Sequence, residues 1–369
     1  MTHQSGSPVP PDVVSVSDYE RHARTLLPAD VWAYIAGAGA DGLTQRWNRD
    51  AFDQLRLAGR VLADMTQAST ASTLFGLPLP HPIIVAPVAY QKLAHPDGEL
   101  ATVLGASASA TWMTISTLSS VSIEEIARNA NTTVLFQLYM QPEREATLRL
   151  VRRAENAGCK ALMVTVDAPV NGVRNVEQRA GFRLPPHALP VNIGAASGPA
   201  SRAGPGESPV FKGLLDTAPT WADIDWLRAQ TSLPLLLKGI VRPADAERAI
   251  EAGLDGIVVS NHGGRTLDTL PASIDALRIV AARVAGRVPL LLDGGIRRGT
   301  DVLKSLALGA SAVLVGQPIM HALAVAGSVG IIHLLTILRA EFEAAMALTG
   351  CSSIGAIDEA VLWESSRFA

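Results

Sequence analysis

The sequence predicts a (β/α)8 barrel, on three observations. Short apolar, β-branched runs alternate with longer amphipathic segments along most of the 369 residues. The runs are apolar nearly throughout rather than at every second position, the pattern of parallel strands covered on both faces. Several amphipathic segments end in Ala-Gly or Leu-Gly just before the next run, at Ala157-Gly158, Ala252-Gly253 and Leu308-Gly309, where a glycine closes a helix. Eight such repeats fit a parallel barrel; a doubly wound open sheet is the alternative.

Residues 1–14 are polar and Pro-rich and are expected to form a flexible tail, leaving 15–369 as one domain. Apolar spacing over 17–52 is helical, with Ser17 and Asp30 as N-caps, giving the barrel an N-terminal helical extension. Strands are expected at 83–86, 112–115, 134–138, 161–166, 235–238, 256–260, 289–292 and 312–315. Helices are expected between them at 99–110, 123–129, 144–157, 222–229, 243–252, 273–284 and 300–308. Residues 185–220 are rich in Pro, Gly, Ser and Ala and carry no period. A loop that long is usually functional, and after the fourth strand it would lie over the catalytic face as a lid. Residues 323–338 are apolar but interrupted by Gly327, Ser328, Gly330, His333 and Thr336. They fall short of the ~18 uninterrupted apolar residues of a membrane span and are read as a buried helix.

Composition narrows the function. Hydrophobic residues make up 48% and charged residues 18%, enough to build a large core and to exclude wholesale disorder. The net charge of −3 argues against a general nucleic-acid or anionic-membrane binder. The two cysteines, Cys159 and Cys351, make no disulfide scaffold. The eight histidines are scattered without metal-ligand spacing, so no metal is expected. With no apolar leader at the N-terminus, a cytoplasmic location is expected. Gly37-Ala38-Gly39-Ala40-Asp41-Gly42 satisfies G-x-G-x-x-G but follows a helical segment. It lacks the strand a dinucleotide fingerprint needs and reads as a helix-ending turn.

Polar residues sit at nearly every strand end, where barrels place their chemistry. They include Ser116, Gln137-Leu138-Tyr139, Thr165-Val166-Asp167 with Arg174 beyond it, and Lys238-Gly239. The later strands add Ser260-Asn261-His262-Gly263-Gly264-Arg265, Asp293-Gly294-Gly295-Ile296-Arg297 and Gly316-Gln317. Lys238 is a Schiff-base nucleophile or a fixed charge beside a cofactor; a lysine at a strand end can also simply snorkel. A lone histidine is more often structural. His262, with Arg265 three residues on and Lys238 a strand earlier, suits a general base beside an anionic substrate, and Asp167 is its candidate partner. The glycines after Asp293, with Arg297, make a phosphate site.

These motifs resemble the FMN-dependent α-hydroxy acid oxidases and dehydrogenases, among them glycolate, lactate and hydroxymandelate oxidases and mandelate dehydrogenase. The resemblance runs from about residue 17 to 351. It implies FMN as cofactor, a 2-hydroxy acid as substrate, oxygen or another electron acceptor, and a homotetramer. It implies His262 as base supported by Asp167. Arg174, Arg265, Tyr34 and Tyr139 would hold the substrate, and Lys238 would stabilise negative charge on reduced flavin. The flavin ring would lie against Pro87, Val88, Ala89, Ser116, Gln137 and Thr165. Its ribityl and phosphate would reach Ser260, Asp293, Gly295, Arg297, Gly316 and Gln317.

Three residues depart from the family pattern. Gln317 replaces an arginine on the phosphate, Leu118 replaces a tryptophan over the substrate pocket, and Val88 replaces a threonine. Leu118, together with the segments 85–91 and 117–125, favours an aryl or bulky (S)-2-hydroxy acid such as 4-hydroxymandelate. Three other readings are weighed against this one: oxidation of a peptide-derived or other biosynthetic intermediate, a lactate- or glycolate-type oxidase, and Schiff-base aldol chemistry at Lys238. A degenerate flavin-binding barrel is the non-catalytic reading, and the intact His262, Arg265, Arg174 and Lys238 speak against it.

Overall fold

The computed structural model describes residues 8–194, 204, 206–208, 210–215 and 217–363. Three helices precede the barrel: α1 (Val16–Leu26), α2 (Ala29–Ala36) and α3 (Leu43–Gln54). The expected N-caps are displaced. Ser15 caps α1, its backbone N–H and its hydroxyl both donating to Asp18 Oδ2 at 2.8 and 2.7 Å, while Ser17 lies inside the helix. Pro28 precedes α2 and Asp30 falls in its first turn, where its charge favours the positive helix end. Residues 37–42 form the predicted turn, and Gly42, at φ +72°, leads into α3.

The expected tail is shorter than predicted at its inner end. Residues 1–7 lie outside the described residues, but Val13 is buried and Asp12 pairs with Arg21 and His22.

A hairpin absent from the sequence prediction comes next, β1 (Ser72–Leu74) paired antiparallel with β2 (Leu77–Leu79). Its strands are too short to show a period. Its turn, Phe75-Gly76, takes positive φ at both residues, as tight hairpins require. Leu74 and Leu79 pack into the barrel's interior cluster with Ile84, Trp112, Leu135 and Met163. The hairpin thereby closes the end of the barrel opposite the predicted site.

The barrel is closed and parallel, which excludes the open sheet. Its strands are β3 (Ile83–Val85), β4 (Trp112–Ser116), β5 (Val134–Leu138), β6 (Leu162–Thr165), β7 (Leu235–Ile240), β8 (Gly256–Val259), β9 (Leu290–Leu292) and β10 (Ala312–Val315), with β10 pairing back to β3. All eight fall where the apolar runs place them, to within a residue or two. Around them run α4 (Glu99–Ala108), α5 (Ile123–Asn129), α6 (Arg144–Asn156), α7 (Asn175–Arg179), α8 (Trp221–Arg228), α9 (Pro243–Glu251), α10 (Ser273–Val284), α11 (Gly299–Ala307) and α12 (Gln317–Thr349). The five-residue α7 was not expected. By length and composition α12 could cross a membrane, yet 67% of its most apolar window is buried, as expected for a core helix. It breaks at Ala326 and Gly327.

The predicted lid is only partly described. Its first residues pack rather than hang free: Ala188 and Asn192 are buried, and Asn192 bonds Ser119 and Arg153. Residues 195–203 of it lie outside the described residues.

Candidate active site

The strand ends and the N-terminal helices enclose one cavity of about 940 Å³, the size of a ligand pocket. Along one wall, Lys238 at the end of β7 is buried. Its Nζ lies 2.8 Å from Asp293 Oδ2 and donates to Ser260 Oγ at 3.0 Å. Burial works against this ammonium, but the Asp293 and Asp167 carboxylates outweigh it, and its pKa is raised. Asp293 Oδ1 is buried without a partner.

Next along the wall, His262 Nδ1 lies 2.9 Å from Asp167 Oδ1. Burial opposes the Asp167 carboxylate, but His262 and Lys238 outweigh it and lower its pKa. Asp167 is ionised and accepts from Nδ1–H, which leaves His262 Nε2 as the free ring nitrogen. Two backbone features permit the pair. Gly239 sits at φ +112°, where an added Cβ would lie 2.5 Å from that of Asp167. His262 itself takes a positive φ of 57° ahead of Gly263 and Gly264, and its N–H donates to Ser260 Oγ.

Arg265 stacks over the Tyr34 ring at 5.2 Å and donates to the carbonyl oxygens of Tyr34 and Gly37 at 2.9 and 2.6 Å. These are orphan carbonyls at the C-terminus of α2, so Arg265 fixes the helix that carries Tyr34. Burial lowers the Arg265 pKa, and nearby Arg174 adds repulsion. Two cations thus share one corner. Tyr34 and Tyr139 face the same cavity, each with its phenol pKa raised by burial and therefore protonated. Gln137 donates to Thr165 Oγ1 at 2.9 Å and accepts from Ser116 Oγ at 3.2 Å, joining three strand ends into one polar floor. Pro87, Val88 and Ala89 line the adjoining edge.

At the far end, Arg297 donates to the side-chain oxygen of Gln317, whose own Nε2 donates to the Ile35 carbonyl at 3.1 Å. Burial brings the Arg297 pKa down to about 10, with Glu20 partly opposing. Gly294, Gly295 and Gly316 line the same end. An added Cβ on Gly295 would meet the Asn48 backbone at 2.7 Å.

All the expected site residues converge here, with two refinements. Asp167 and Ser260 do not line the cavity. Asp167 stands behind His262, and Ser260 Oγ accepts from Lys238 and from the His262 backbone N–H. Sequence reasoning missed Asn48, Arg49, Tyr90, Glu177, Phe182 and Leu184, which also line the cavity. For Asn48 and Arg49 the signal was there, since Gln45, Asn48 and Arg49 share one face of α3 at i, i+3 and i+4. Arg49 donates to the Gly295 carbonyl and pairs with Asp301 at 2.7 Å.

The cavity fits FMN. The unpartnered Asp293 oxygen would accept from a ribityl hydroxyl, half-buried Arg297 calls for an anion, and Lys238 supplies a fixed positive charge. Polar groups from Ser116, Gln137 and Thr165 would meet the ring edges.

Comparison with known proteins agrees. The FMN-dependent dehydrogenase family matches residues 23–364. An L-lactate oxidase of Nostoc sp. is 44% identical over 356 residues, covering 95% of this chain and 98% of that one. Glycolate oxidase 1 of Oryza sativa subsp. indica is 41% identical over 361 residues, covering 97% and 98%. Among solved structures, a mandelate oxidase with (S)-2-phenylpropionate superposes with a TM-score of 0.86 at 44% identity, covering 95% of this chain and 98% of that one. With the barrel, the paired charges and these relatives in agreement, the chain belongs to the FMN-dependent dehydrogenase family and is an FMN-dependent oxidoreductase of 2-hydroxy acids.

Proposed function

We propose that this enzyme oxidises an (S)-2-hydroxy acid with an aryl or otherwise bulky side chain, mandelate- or 4-hydroxymandelate-like, to the 2-oxo acid, passing the electrons to oxygen to give hydrogen peroxide. The observation that carries the aryl reading is the apolar wall beside the arginine corner. Leu118, Leu184 and Phe182 line it, and the Phe182 ring stacks on Tyr34 at 4.6 Å. A bulky apolar group gains about 25 cal/mol for each Å² it buries there. A solved mandelate oxidase carrying benzoyl-formic acid, at 44% identity, supports the same class.

In this reading Arg174 and Arg265 take the substrate carboxylate, with the Tyr34 and Tyr139 hydroxyls donating to it or to the substrate hydroxyl. His262 receives a proton at Nε2, from the hydroxyl in a hydride route or from the carbon in a carbanion route. Asp167 holds the ring by Nδ1 and stabilises the imidazolium that forms. FMN, when bound, accepts the two electrons. Lys238 keeps its positive charge beside the flavin, where negative charge develops. The reading includes a cytoplasmic homotetramer, which sedimentation at four times the 38.8 kDa of one chain would support.

The test is a visible spectrum followed by anaerobic addition of each enantiomer of 4-hydroxymandelate, mandelate and lactate. Bleaching by the S enantiomer of an aryl acid, with peroxide formed on admitting air, is expected. Bleaching by lactate alone would overturn the aryl reading. A yellow protein that none of them bleaches would point to a larger biosynthetic substrate.

A further inference from the structure

One charged group in the substrate corner has no part in the mechanism above. Glu177 of α7 faces the substrate corner, its Oε2 3.6 Å from Arg174 Nη1. That separation makes an ion pair but is too long for a hydrogen bond. Both atoms are buried, and neither has a hydrogen-bond partner. The carboxylate also bears electrostatically on Tyr34, Tyr90 and Arg265, which sets it inside the substrate corner rather than at its rim.

A structural ion pair in a buried place normally closes to about 2.7–2.9 Å and satisfies its donors. This one leaves a guanidinium N–H and a carboxylate oxygen both unsatisfied. An arginine in that state is ready for a better acceptor. An incoming carboxylate, bound at hydrogen-bond distance, takes Arg174 from Glu177. When the product leaves, Glu177 neutralises Arg174 again. Charge supports this exchange. Arg174 and Arg265 carry two positive charges against one from Glu177, so one further carboxylate balances the corner. A second carboxylate that stays nearby also limits how tightly that ligand is held.

We propose that Glu177 is a positioning residue that competes with the substrate carboxylate for Arg174, loosening the hold on hydroxy acid and 2-oxo acid alike and speeding product release. This rests on the reading that Arg174 and Arg265 hold the carboxylate.

The experiment titrates the FMN-loaded protein with benzoylformate and with pyruvate, reading the flavin spectrum and the binding heat. Glu177→Gln, which keeps the shape and removes the charge, should bind the 2-oxo acid roughly tenfold tighter, about one factor of ten per 1.4 kcal/mol. Its kcat should fall together with KM as release slows. Glu177→Asp should return towards the wild type. In an Arg174→Leu background the same change should have little effect. Were Glu177 only a prop for Arg174, its removal would loosen binding, and unchanged or looser binding overturns the proposal. If Glu177→Gln does not hold FMN, Glu177→Ala decides by the same sign. Should pyruvate bind and benzoylformate not, the aryl reading fails while Glu177 is judged on pyruvate. If neither binds the wild type, the carboxylate site falls and this proposal with it.

Discussion

The two ends of the cavity treat charge differently. At the reacting end three basic groups meet protein carboxylates: Lys238 meets Asp293 at 2.8 Å, His262 meets Asp167 at 2.9 Å, and Arg174 meets Glu177 at 3.6 Å, while Arg265 bonds only backbone carbonyls. At the phosphate end, Arg297 hydrogen-bonds only neutral oxygens, the Ile296 carbonyl and the Gln317 amide. Its neighbour Arg49 is already held by Asp301. A cation partly withdrawn from water and left unmatched is costly. The fold leaves the matching of Arg297, and of Arg265 in the substrate corner, to the ligands' own anionic groups. Where charge changes during turnover, it supplies its own counter-charges.

The largest test of this contrast is His262→Ala. We expect turnover to fall about 10³-fold, seen as slow anaerobic bleaching, while FMN stays bound. Bleaching at the wild-type rate would remove His262 from its role. Arg297→Leu should do the reverse. FMN should bind roughly 10–100-fold more weakly, the worth of a charged hydrogen-bonded contact, as read from flavin fluorescence during reconstitution. Undiminished affinity would show that the phosphate is held elsewhere.

Leu118→Trp should cut kcat/KM for mandelate about 10–100-fold and leave lactate nearly untouched; an equal loss for both would dissociate Leu118 from side-chain selection. Gln317→Arg adds a second cation beside Arg297. The FMN-free protein should lose about 1 kcal/mol, and the stabilisation on adding FMN should grow, both measured by thermal shift. The smallest effect concerns pH. The raised Lys238 value means that the Lys238–Asp293 pair contributes its full stability below 10.5, the ordinary lysine value, and loses it only as pH rises through the raised one. The stability difference between wild type and Lys238→Met in urea should therefore stay flat from about pH 7 to 9. A decline within that window would place the lysine value lower.

The strands were legible because each is a single apolar run, three of them following a helix-ending glycine. The strand-end motifs were legible because polar groups after such runs have no packing reason to be there. The hairpin at 72–79 was not, since three-residue strands show no period. The caps at Ser15 and Pro28 escaped because Ser17 and Asp30 satisfy the same local pattern one turn or less away. Ser260 was legible from its place in a motif, but its bond from Lys238 was not, because that depends on the neighbouring strand. Glu177 carries a helical i, i+3 relation to Arg174, yet nothing local sets that pair against the cavity.

The N-terminal extension has a consequence for how the molecule is made. Tyr34, Asn48 and Arg49 precede the barrel in the chain, yet their partners lie far downstream. Gly39 N–H bonds the Gly264 carbonyl, Thr44 N–H bonds Asp268, Arg49 meets Asp301, and Gln317 reaches back to Ile35. On a ribosome these helices emerge before the barrel and can reach these partners only once β8 to β10 have been synthesised. Closing so long a loop costs little more than closing a shorter one, but contacts of such sequence separation form slowly. The site therefore needs both ends of the chain, and flavin capture requires that the N-terminal helices have met β8 to β10.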